Sequence, residues 1–371
     1  MLKGIYSKYM SILTVAFAVA FLFMANAHAE GVLKVYNWAE YIGEDTIANF
    51  EKEYGIEVTY DNYDSVETVD AKLLAGSTGY DVISHSSSAV ARLLPANVIQ
   101  KLDMSRLPNM KHMSEKVLEQ IARHWDPNNE YIVPYMWGTH GVTYNEELVR
   151  EVFPDAPIGS MDLIFDPANM EKLAQCGVAF LDSPTDIVSM ALAHLGLDPG
   201  SSNKADFEAA EELLLSIRPY IKTFDNYAYI RMPEKEFCVA VTWGPDGLFA
   251  QSAAEESGQD IELKFYAPPG EGKANIWVDG WVVPSDAENL DNAYLFLDYM
   301  MRPEVAAGDS NYTWYASANE SAKELIDPVV TGSEAVYPSD EAVAMMYPLK
   351  VLKPKLERVR TRVWTNFKTG N

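Results

Sequence analysis

Three tryptophans in this chain are each followed, two or three positions later, by a carboxylate. The pairs are Trp38 with Glu40, Trp243 with Asp246, and Trp277 with Asp279. Indole faces attract ammonium groups, and carboxylates give the same groups charge-assisted hydrogen bonds. The pattern therefore predicts a cleft with aromatic walls and acidic ends that suits an elongated organic cation. The alternative is that the tryptophans are core residues and the acids are solvated neighbours.

Each pair lies at or near the end of an apolar run that we predict to be a β-strand. These runs cover residues 32–36, 237–241 and 275–283. In the N-terminal part, the predicted elements follow a β-α-β-α-β order, with strands at 32–36, 56–60 and 82–84 and helices at 46–54 and 65–76. This order favours a mostly parallel sheet with helices on its faces and ligands beyond the carboxyl ends of the strands. We therefore expect Trp38, Glu40 and Ser86 at that edge.

The first 29 residues have the features of a secretory signal peptide. Lys3 and Lys8 precede a mostly apolar run, and Ala27-His28-Ala29 is a small-x-small cleavage site. We expect cleavage and a protein that is free in an exported compartment; an uncleaved N-terminal anchor is the alternative. The remaining 342 residues, 371 minus 29, are enough for two domains.

The chain is strongly acidic, with a net charge of −25. The predicted signal peptide holds two lysines and no acids, so the rest would carry 27 basic and 54 acidic residues, a charge of −27. Such a surface repels nucleic-acid backbones and anionic lipid head groups, and it attracts small cations. We expect no nucleic-acid or membrane-surface partner.

The proline- and glycine-rich segments of the chain predict two lobes joined by a hinge. Pro268-Pro269-Gly270-Glu271-Gly272 reads as a linker, after which the strand at 275–283 is expected to return to the first lobe. We place the first crossing near 138–141. The expected boundaries are 30–138 plus 273–318 for the first lobe and 139–272 plus 319–371 for the second.

Two further features concern stability. Cys176 and Cys238 are the only cysteines, and in an oxidising compartment they suggest a disulfide; two free buried thiols are the alternative. The basic segment 349–368 has apolar residues at helical spacing. We expect an amphipathic helix docked on its own domain rather than a partner-binding tail.

Motifs for common catalytic chemistry are missing from the sequence. The six histidines show no metal-ligand spacing, and there is neither a nucleophile elbow nor a phosphate-binding loop. We therefore expect a binding protein, not an enzyme, without cofactor or metal. Paired carboxylates and tryptophan walls also occur in sugar clefts, so an exported carbohydrate-binding protein or glycosidase is the alternative.

Several motifs, spread from Val32 to Lys368, resemble those of the periplasmic polyamine-binding proteins of ABC importers, closest to the putrescine-binding branch. The motifs are Tyr36-Asn37-Trp38-Ala39-Glu40-Tyr41, Gly55-Ile56-Glu57-Val58, Ala75-Gly76-Ser77-Thr78-Gly79-Tyr80-Asp81, Pro134-Tyr135-Met136-Trp137-Gly138, Phe180-Leu181-Asp182-Ser183-Pro184 and Val359-Arg360-Thr361-Arg362. The resemblance implies a monomer with the α/β, two-lobed type II periplasmic-binding-protein fold, in which each lobe is a mostly parallel sheet with flanking helices and a hinge joins the lobes. It also implies that the closed protein delivers putrescine or spermidine to a membrane ABC permease or signals to a sensor receptor.

The resemblance assigns roles to ten residues and a disulfide. It implies an aromatic box with Trp38, Tyr41 and Tyr315, amine contacts from Glu40 and Asp186, a ligand-facing Ser86, the pair Trp243 and Asp246 holding an inner ammonium, the pair Trp277 and Asp279, and a Cys176–Cys238 bond. Three positions depart from the putrescine branch. Ala39 replaces a serine or threonine, Glu40 replaces a shorter aspartate, and Trp277 replaces a phenylalanine, as in the spermidine-preferring branch. The preferred polyamine therefore stays open.

Overall fold

The computed structural model describes residues 31–371, so the predicted signal peptide at 1–29 lies outside the described residues. Within this range the strands are β1 (Gly31–Trp38), β2 (Ile56–Tyr63), β3 (Val82–Ser86), β4 (Val133–Gly138), β5 (His140–Tyr144), β6 (Val178–Phe180), β7 (Thr223–Phe224), β8 (Val239–Trp243), β9 (Lys264–Tyr266), β10 (Asn275–Val282), β11 (Ala316–Ser317) and β12 (Tyr347–Pro348). Among these residues, no helix has both the length and the apolar character needed to span a bilayer.

The helices alternate with the strands through most of the chain. They are α1 (Thr46–Tyr54), α2 (Val66–Ala75), α3 (Ser87–Leu93), α4 (Glu115–His124), α5 (Glu146–Val152), α6 (Asp162–Phe165), α7 (Pro167–Leu173), α8 (Pro184–His194), α9 (Lys204–Ile217), α10 (Asp246–Glu256), α11 (Leu290–Met300), α12 (Pro303–Thr313), α13 (Pro328–Thr331), α14 (Asp340–Met345) and α15 (Pro354–Thr369). Short 3₁₀ turns supplement them, including Glu320–Ala322.

The first sheet has the strand order β11-β4-β10-β3-β1-β2, and β12 pairs with β10. Strand β1 is parallel to both β2 and β3, which confirms the β-α-β-α-β prediction. Strand β10 runs antiparallel to β3 and β4. The reason is topological: β4 leaves this sheet at the same end at which β10 enters it, so the two strands must run in opposite directions.

The second sheet has the order β7-β6-β8-β5-β9. Its strands β6, β7 and β8 are mutually parallel, whereas β5 is antiparallel to β8 and β9. The two sheets, each with helices packed on it, give the two-lobed α/β fold that the sequence predicts. Both sheets are mixed rather than mostly parallel, because β10 in the first sheet and β5 in the second run antiparallel to their neighbours next to the crossings between the lobes.

The chain passes between the sheets at three crossings. The first is Thr139, between β4 and β5; the second is 267–274, between β9 and β10; the third is 349–353, between β12 and α15. The lobe boundaries remain a proposal. Because Ala322, Val330 and Val336 pack in one apolar cluster with Ala306 and Ala316, we propose that 319–348 belongs with the first lobe rather than the second.

The second lobe is held together partly by its C-terminal helix and by a covalent bond. The apolar face of α15, with Leu356, Val359 and Val363, packs in the same core as α9, which confirms the predicted docked helix. Cys176 and Cys238 form a disulfide that ties the turn after α7 to the beginning of β8. The two sulfurs are therefore not free thiols.

Candidate binding cleft

All ten residues predicted to form a site line one cavity of about 1150 Å³, part of which is open to solvent. Seven carboxylates line it, from Glu40, Asp64, Glu67, Asp182, Asp186, Asp246 and Asp279, and the one cationic side chain of the lining is Arg92. Eight aromatic rings complete the wall, from Trp38, Tyr41, Tyr227, Tyr229, Trp243, Phe249, Trp277 and Tyr315. The cavity is therefore acidic and aromatic, as the sequence pattern indicates.

The first lobe supplies the ends of its parallel strands. Trp38 is the last residue of β1, and its ring lies 4.3 Å from that of Tyr63. Two residues later, Glu40 adopts a φ of 53°, in the left-handed region, and this turn leads to the buried Tyr41. Glu40 itself is exposed, and one of its carboxylate oxygens accepts a 3.3 Å hydrogen bond from the Tyr312 hydroxyl. It lies at the rim of the cavity.

Strand β10 brings two further residues to the cavity. Trp277 and Asp279 are two positions apart, so they project from the same face of the strand. Asp279 lies opposite Ser86, the last residue of β3, across the antiparallel ladder. The register thus places a carboxylate beside a hydroxyl at the edge where β1 and β3 end.

The second lobe supplies a matching strand end. Trp243 is the last residue of β8, and Asp246 is the first residue of α10. The Asp246 carboxylate accepts a 3.1 Å hydrogen bond from the Trp243 backbone N–H. This short connection fixes the acid and the indole relative to each other.

Tyr315 joins the two lobes across the cavity. It lies between α12 and β11 of the first lobe, and its hydroxyl donates to the Asp246 carboxylate and, at 2.8 Å, to the Trp243 carbonyl. Its ring is 5.2 Å from the ring of Tyr41 and 5.4 Å from that of Trp277, both in edge-on arrangements. These three rings form one continuous aromatic wall of the cavity, next to Asp246 and Asp279.

Asp246 and Asp279 are both buried, and neither is paired with a positively charged side chain of residues 31–371. Their exposed fractions are 5% and 9%, and neither forms an ion pair among residues 31–371. Burial raises the pKa of Asp246 to about 8, against the hydrogen bonds from Tyr315 and Trp243. Burial likewise raises the pKa of Asp279 to about 7, helped by the charge of Asp186 and opposed by the Tyr41 hydroxyl. A cationic guest would relieve both penalties.

Asp186 has a different environment. It lies in the first turn of α8 and accepts hydrogen bonds from Ser183 Oγ at 2.7 Å and Trp243 Nε1 at 3.0 Å. Burial works to raise its pKa, but His140 and these hydrogen-bond donors hold the pKa below its usual range. Asp186 is therefore an ionised carboxylate whose charge is already stabilised by the protein.

Sequence reasoning missed several residues of the lining. Phe249 lies three residues after Asp246 on α10, so helical spacing from that acid could have identified it. Tyr227 immediately precedes the 3₁₀ turn Ala228–Arg231, which shows no sequence period, and Tyr229 lies within this turn. Glu67 lies on a helix predicted only as scaffold, and Arg92 lies on α3, a helix that was not predicted. Within residues 31–371, no group of three or more histidines, cysteines or acids is placed to hold a metal ion.

The chain is similar to known exported binding proteins. The family model of the bacterial extracellular solute-binding proteins matches residues 45–343. The putrescine-binding periplasmic protein PotF of Escherichia coli is 43% identical over 347 residues, 93% of each chain. The putrescine-binding periplasmic protein SpuD of Pseudomonas aeruginosa is 42% identical over 367 residues, 98% of this chain and 99% of the relative. A solved structure of a spermidine/putrescine ABC transporter protein from Listeria monocytogenes is similar at a TM-score of 0.80 and 30% identity, covering 92% of this chain and 99% of its own.

Proposed function

Because the chain belongs to the bacterial extracellular solute-binding proteins, we propose that it captures a polyamine, putrescine or spermidine, in the periplasm and delivers it to an ABC importer. It acts as a binding protein and not as an enzyme. The relatives named above bind putrescine according to their names, and they align with nearly the whole chain.

One observation supports this proposal most strongly. Asp246 and Asp279 lie in an aromatic cavity, one from each lobe, and burial raises the pKa of each carboxyl group. A neutral sugar would leave both acids without a counter-charge, whereas a diammonium chain would neutralise them. The geometry therefore favours a polyamine over a carbohydrate.

The energetics are sufficient for useful affinity. An ammonium–carboxylate pair at ~4 Å is worth ~4 kcal/mol at an effective dielectric of ~20, before desolvation is subtracted. Methylene groups between the aromatic rings add about 0.8 kcal/mol for each buried CH₂. After the costs of ordering, two such pairs and the chain between them support roughly micromolar binding or better.

We propose the following binding residues: Trp38, Glu40, Tyr41, Ser86, Trp243, Asp246, Trp277, Asp279 and Tyr315. Asp186 also lines the cavity, where it supports the Trp243 indole. Asp246 and Asp279 receive ammonium groups, the rings of Tyr41, Trp277 and Tyr315 surround the methylene chain, and Glu40 acts at the rim. Acids on both lobes let the ligand favour the closed state by differential contact. The closed monomer then docks on a membrane permease.

Isothermal titration calorimetry on protein refolded free of bound polyamine tests this proposal. We expect one-to-one binding of putrescine or spermidine and much weaker binding of 1-butylamine and of neutral 1,4-butanediol. These two controls keep the carbon chain but remove one or both charges. An absence of binding heat with putrescine, spermidine and cadaverine alike would refute the proposal, and so would tighter binding of a neutral oligosaccharide.

A further inference from the structure

Helix α8 of the second lobe reaches from the cavity to all three crossings between the lobes. Its N-terminal residues Thr185 and Asp186 line the cavity. The rest of the helix lies next to the three crossings, which together form the hinge, and residues 186–193 are all buried. The helix therefore contacts both the cavity, where a ligand would bind, and the crossings, where the backbone must move when the lobes close.

At the cavity end, Asp186 holds an aromatic wall in place. One of its carboxylate oxygens accepts hydrogen bonds from the Trp243 indole N–H at 3.0 Å and from Ser183 Oγ at 2.7 Å. Trp243 in turn donates its backbone N–H to Asp246. The positions of the Trp243 indole and the Asp246 carboxylate thus depend on α8.

The other oxygen of Asp186 faces the first and second crossings. It accepts a 3.4 Å hydrogen bond from Asn275 Nδ2 and lies 3.6 Å from His140 Nδ1. Asn275 Oδ1 also accepts the His140 backbone N–H at 2.8 Å. Asn275 begins β10 and His140 begins β5, so the chain segments that follow these two crossings meet at one carboxylate.

The middle and the C-terminal end of α8 contact the third and second crossings. Ser189 Oγ donates to the Asp186 carbonyl at 2.9 Å and lies 3.1 Å from the Tyr347 hydroxyl, just before the third crossing. The same hydroxyl is 3.4 Å from His140 Nε2. At the C-terminal end, Lys273 of the second crossing donates to the carbonyls of the last α8 residues.

We propose that α8 couples the occupied cavity to the hinge, and that Asp186 is a positioning residue that acts through Trp243 rather than a contact for an amine. Both of its oxygens are already turned toward protein donors, which leaves little capacity for an ammonium group. This inference rests on the proposed function, because it assumes a polyamine between the lobes. It differs from the role that the sequence resemblance implies for Asp186.

The coupling can be tested at residues that do not touch the cavity. Tyr347 and Ser189 are absent from the cavity lining, so a change in ligand release on removing their hydroxyls must be transmitted through α8 and the crossings. Tyr299→Phe is a matched control. It also deletes a buried tyrosine hydroxyl that donates one hydrogen bond, at 3.2 Å to the Thr46 carbonyl, but it lies in the first lobe away from the crossings.

Stopped-flow tryptophan fluorescence would measure putrescine release from the wild type, Tyr347→Phe and Tyr299→Phe. We expect Tyr347→Phe to release putrescine roughly three- to tenfold faster, the range that one lost buried hydrogen bond supports. Tyr299→Phe should release it at the wild-type rate even if its melting temperature falls equally. Equal release rates for all three proteins would overturn the inference. If Tyr347→Phe does not fold, Ser189→Ala removes the same contact from the other side.

A second experiment separates positioning from direct contact. Asp186→Ala, which removes the acceptor for the Trp243 indole N–H, should weaken the binding of putrescine and of 1-butylamine by the same factor, because a misplaced Trp243 affects both ligands. A loss confined to putrescine would show that Asp186 binds its second amine and would overturn the inference. A wild-type protein that binds no polyamine at all would instead refute the proposed function, and the coupling with it.

Discussion

Two acids of the cavity, Asp246 and Asp279, show how burial of single residues prepares a site for a cation. Desolvation raises their pKa values to about 8 and about 7, so without ligand both carboxyl groups keep their protons to a much higher pH than an ordinary aspartate does. An ionised carboxylate beside an ammonium group is far better stabilised. The two acids therefore lower the stability of the ligand-free protein and raise that of the complex.

We expect Asp246→Asn to change stability and affinity in opposite directions. Putrescine affinity should fall by roughly 10- to 100-fold, because a hydrogen bond to a charged group is lost. The empty variant should melt higher than the wild type at pH 8, and this difference should shrink toward pH 4, where the unfolded acid is protonated too. Calorimetry and thermal unfolding measure the two effects. Asp291→Asn, at the exposed end of an ion pair with Arg106, is a control that should change neither quantity much.

The same two acids predict proton release on binding. Because the pKa of each acid is raised in the folded state, protonation of the two acids stabilises the folded protein at low pH. This contribution to the free energy of unfolding is lost as pH rises through about 7 to 8. Primary amines titrate near ~10.4 and stay charged throughout. Putrescine affinity should therefore decrease from pH 8.5 to pH 5.5, by up to about tenfold per pH unit for each acid. Binding heats in two buffers of different ionisation enthalpy would reveal the released protons. A constant affinity without proton release would contradict this expectation.

At the scale of elements, strand register and a glycine decide where an indole can lie. Trp277 of β10 lies opposite Gly138, the last residue of β4. A Cβ at Gly138 would come within 2.7 Å of the Trp277 ring, so only glycine permits the ring to rest on the backbone. The end of β4 thus shapes the cavity although it contributes no side chain there.

We expect Gly138→Ala to displace the Trp277 ring. Overpacking of this kind lowers the free energy of unfolding by about 1–3 kcal/mol, and putrescine should bind more weakly because part of the aromatic wall has moved. Urea denaturation and calorimetry would test both effects. Gly308→Ala is the control: its Cβ would meet nothing within 4 Å, and alanine inside α12 should stabilise the helix slightly. Wild-type affinity in Gly138→Ala would contradict the assigned role of this glycine.

At the scale of the whole molecule, specific contacts join the two lobes across the cleft. Besides Tyr315 with Asp246, the side-chain amide of Asn226 donates to the Asp64 carbonyl at 3.0 Å, and the Phe249 ring lies 6.0 Å from that of Tyr312. The structure therefore represents a closed arrangement. The net charge of −25 surrounds this cleft with a negative field that draws cations toward it.

The field predicts a strong effect of salt on capture. The association rate of putrescine should fall several-fold when ionic strength rises from about 0.02 M to about 0.5 M, because screening shortens the Debye length. The dissociation rate should change less, since the buried pairs are poorly screened. Stopped-flow measurements at several salt concentrations separate the two rates. An association rate independent of salt would show that steering is unimportant.

Local patterns were enough to predict much of this protein. The β-α-β-α-β order of the first lobe and the amphipathic helix α15 depend on periodicity and stop signals that neighbouring residues supply. The position of Trp38 and Trp243 at strand ends follows from the same patterns, because carboxyl ends of parallel strands meet at one edge. The Cys176–Cys238 bond followed from the even cysteine count and from the resemblance.

Only the tertiary structure decided how these parts act together. No sequence period reveals that Asp186 is surrounded by donors while Asp246 and Asp279 are not, because desolvation depends on what packs around a carboxylate. Likewise, Tyr227 and Tyr229 enter the lining from the start of a short 3₁₀ turn, and Tyr315 contacts Asp246, which lies 69 positions away in the chain. Sequence fixes residue types along one dimension, whereas burial, pKa and contact between the lobes arise from distances in three.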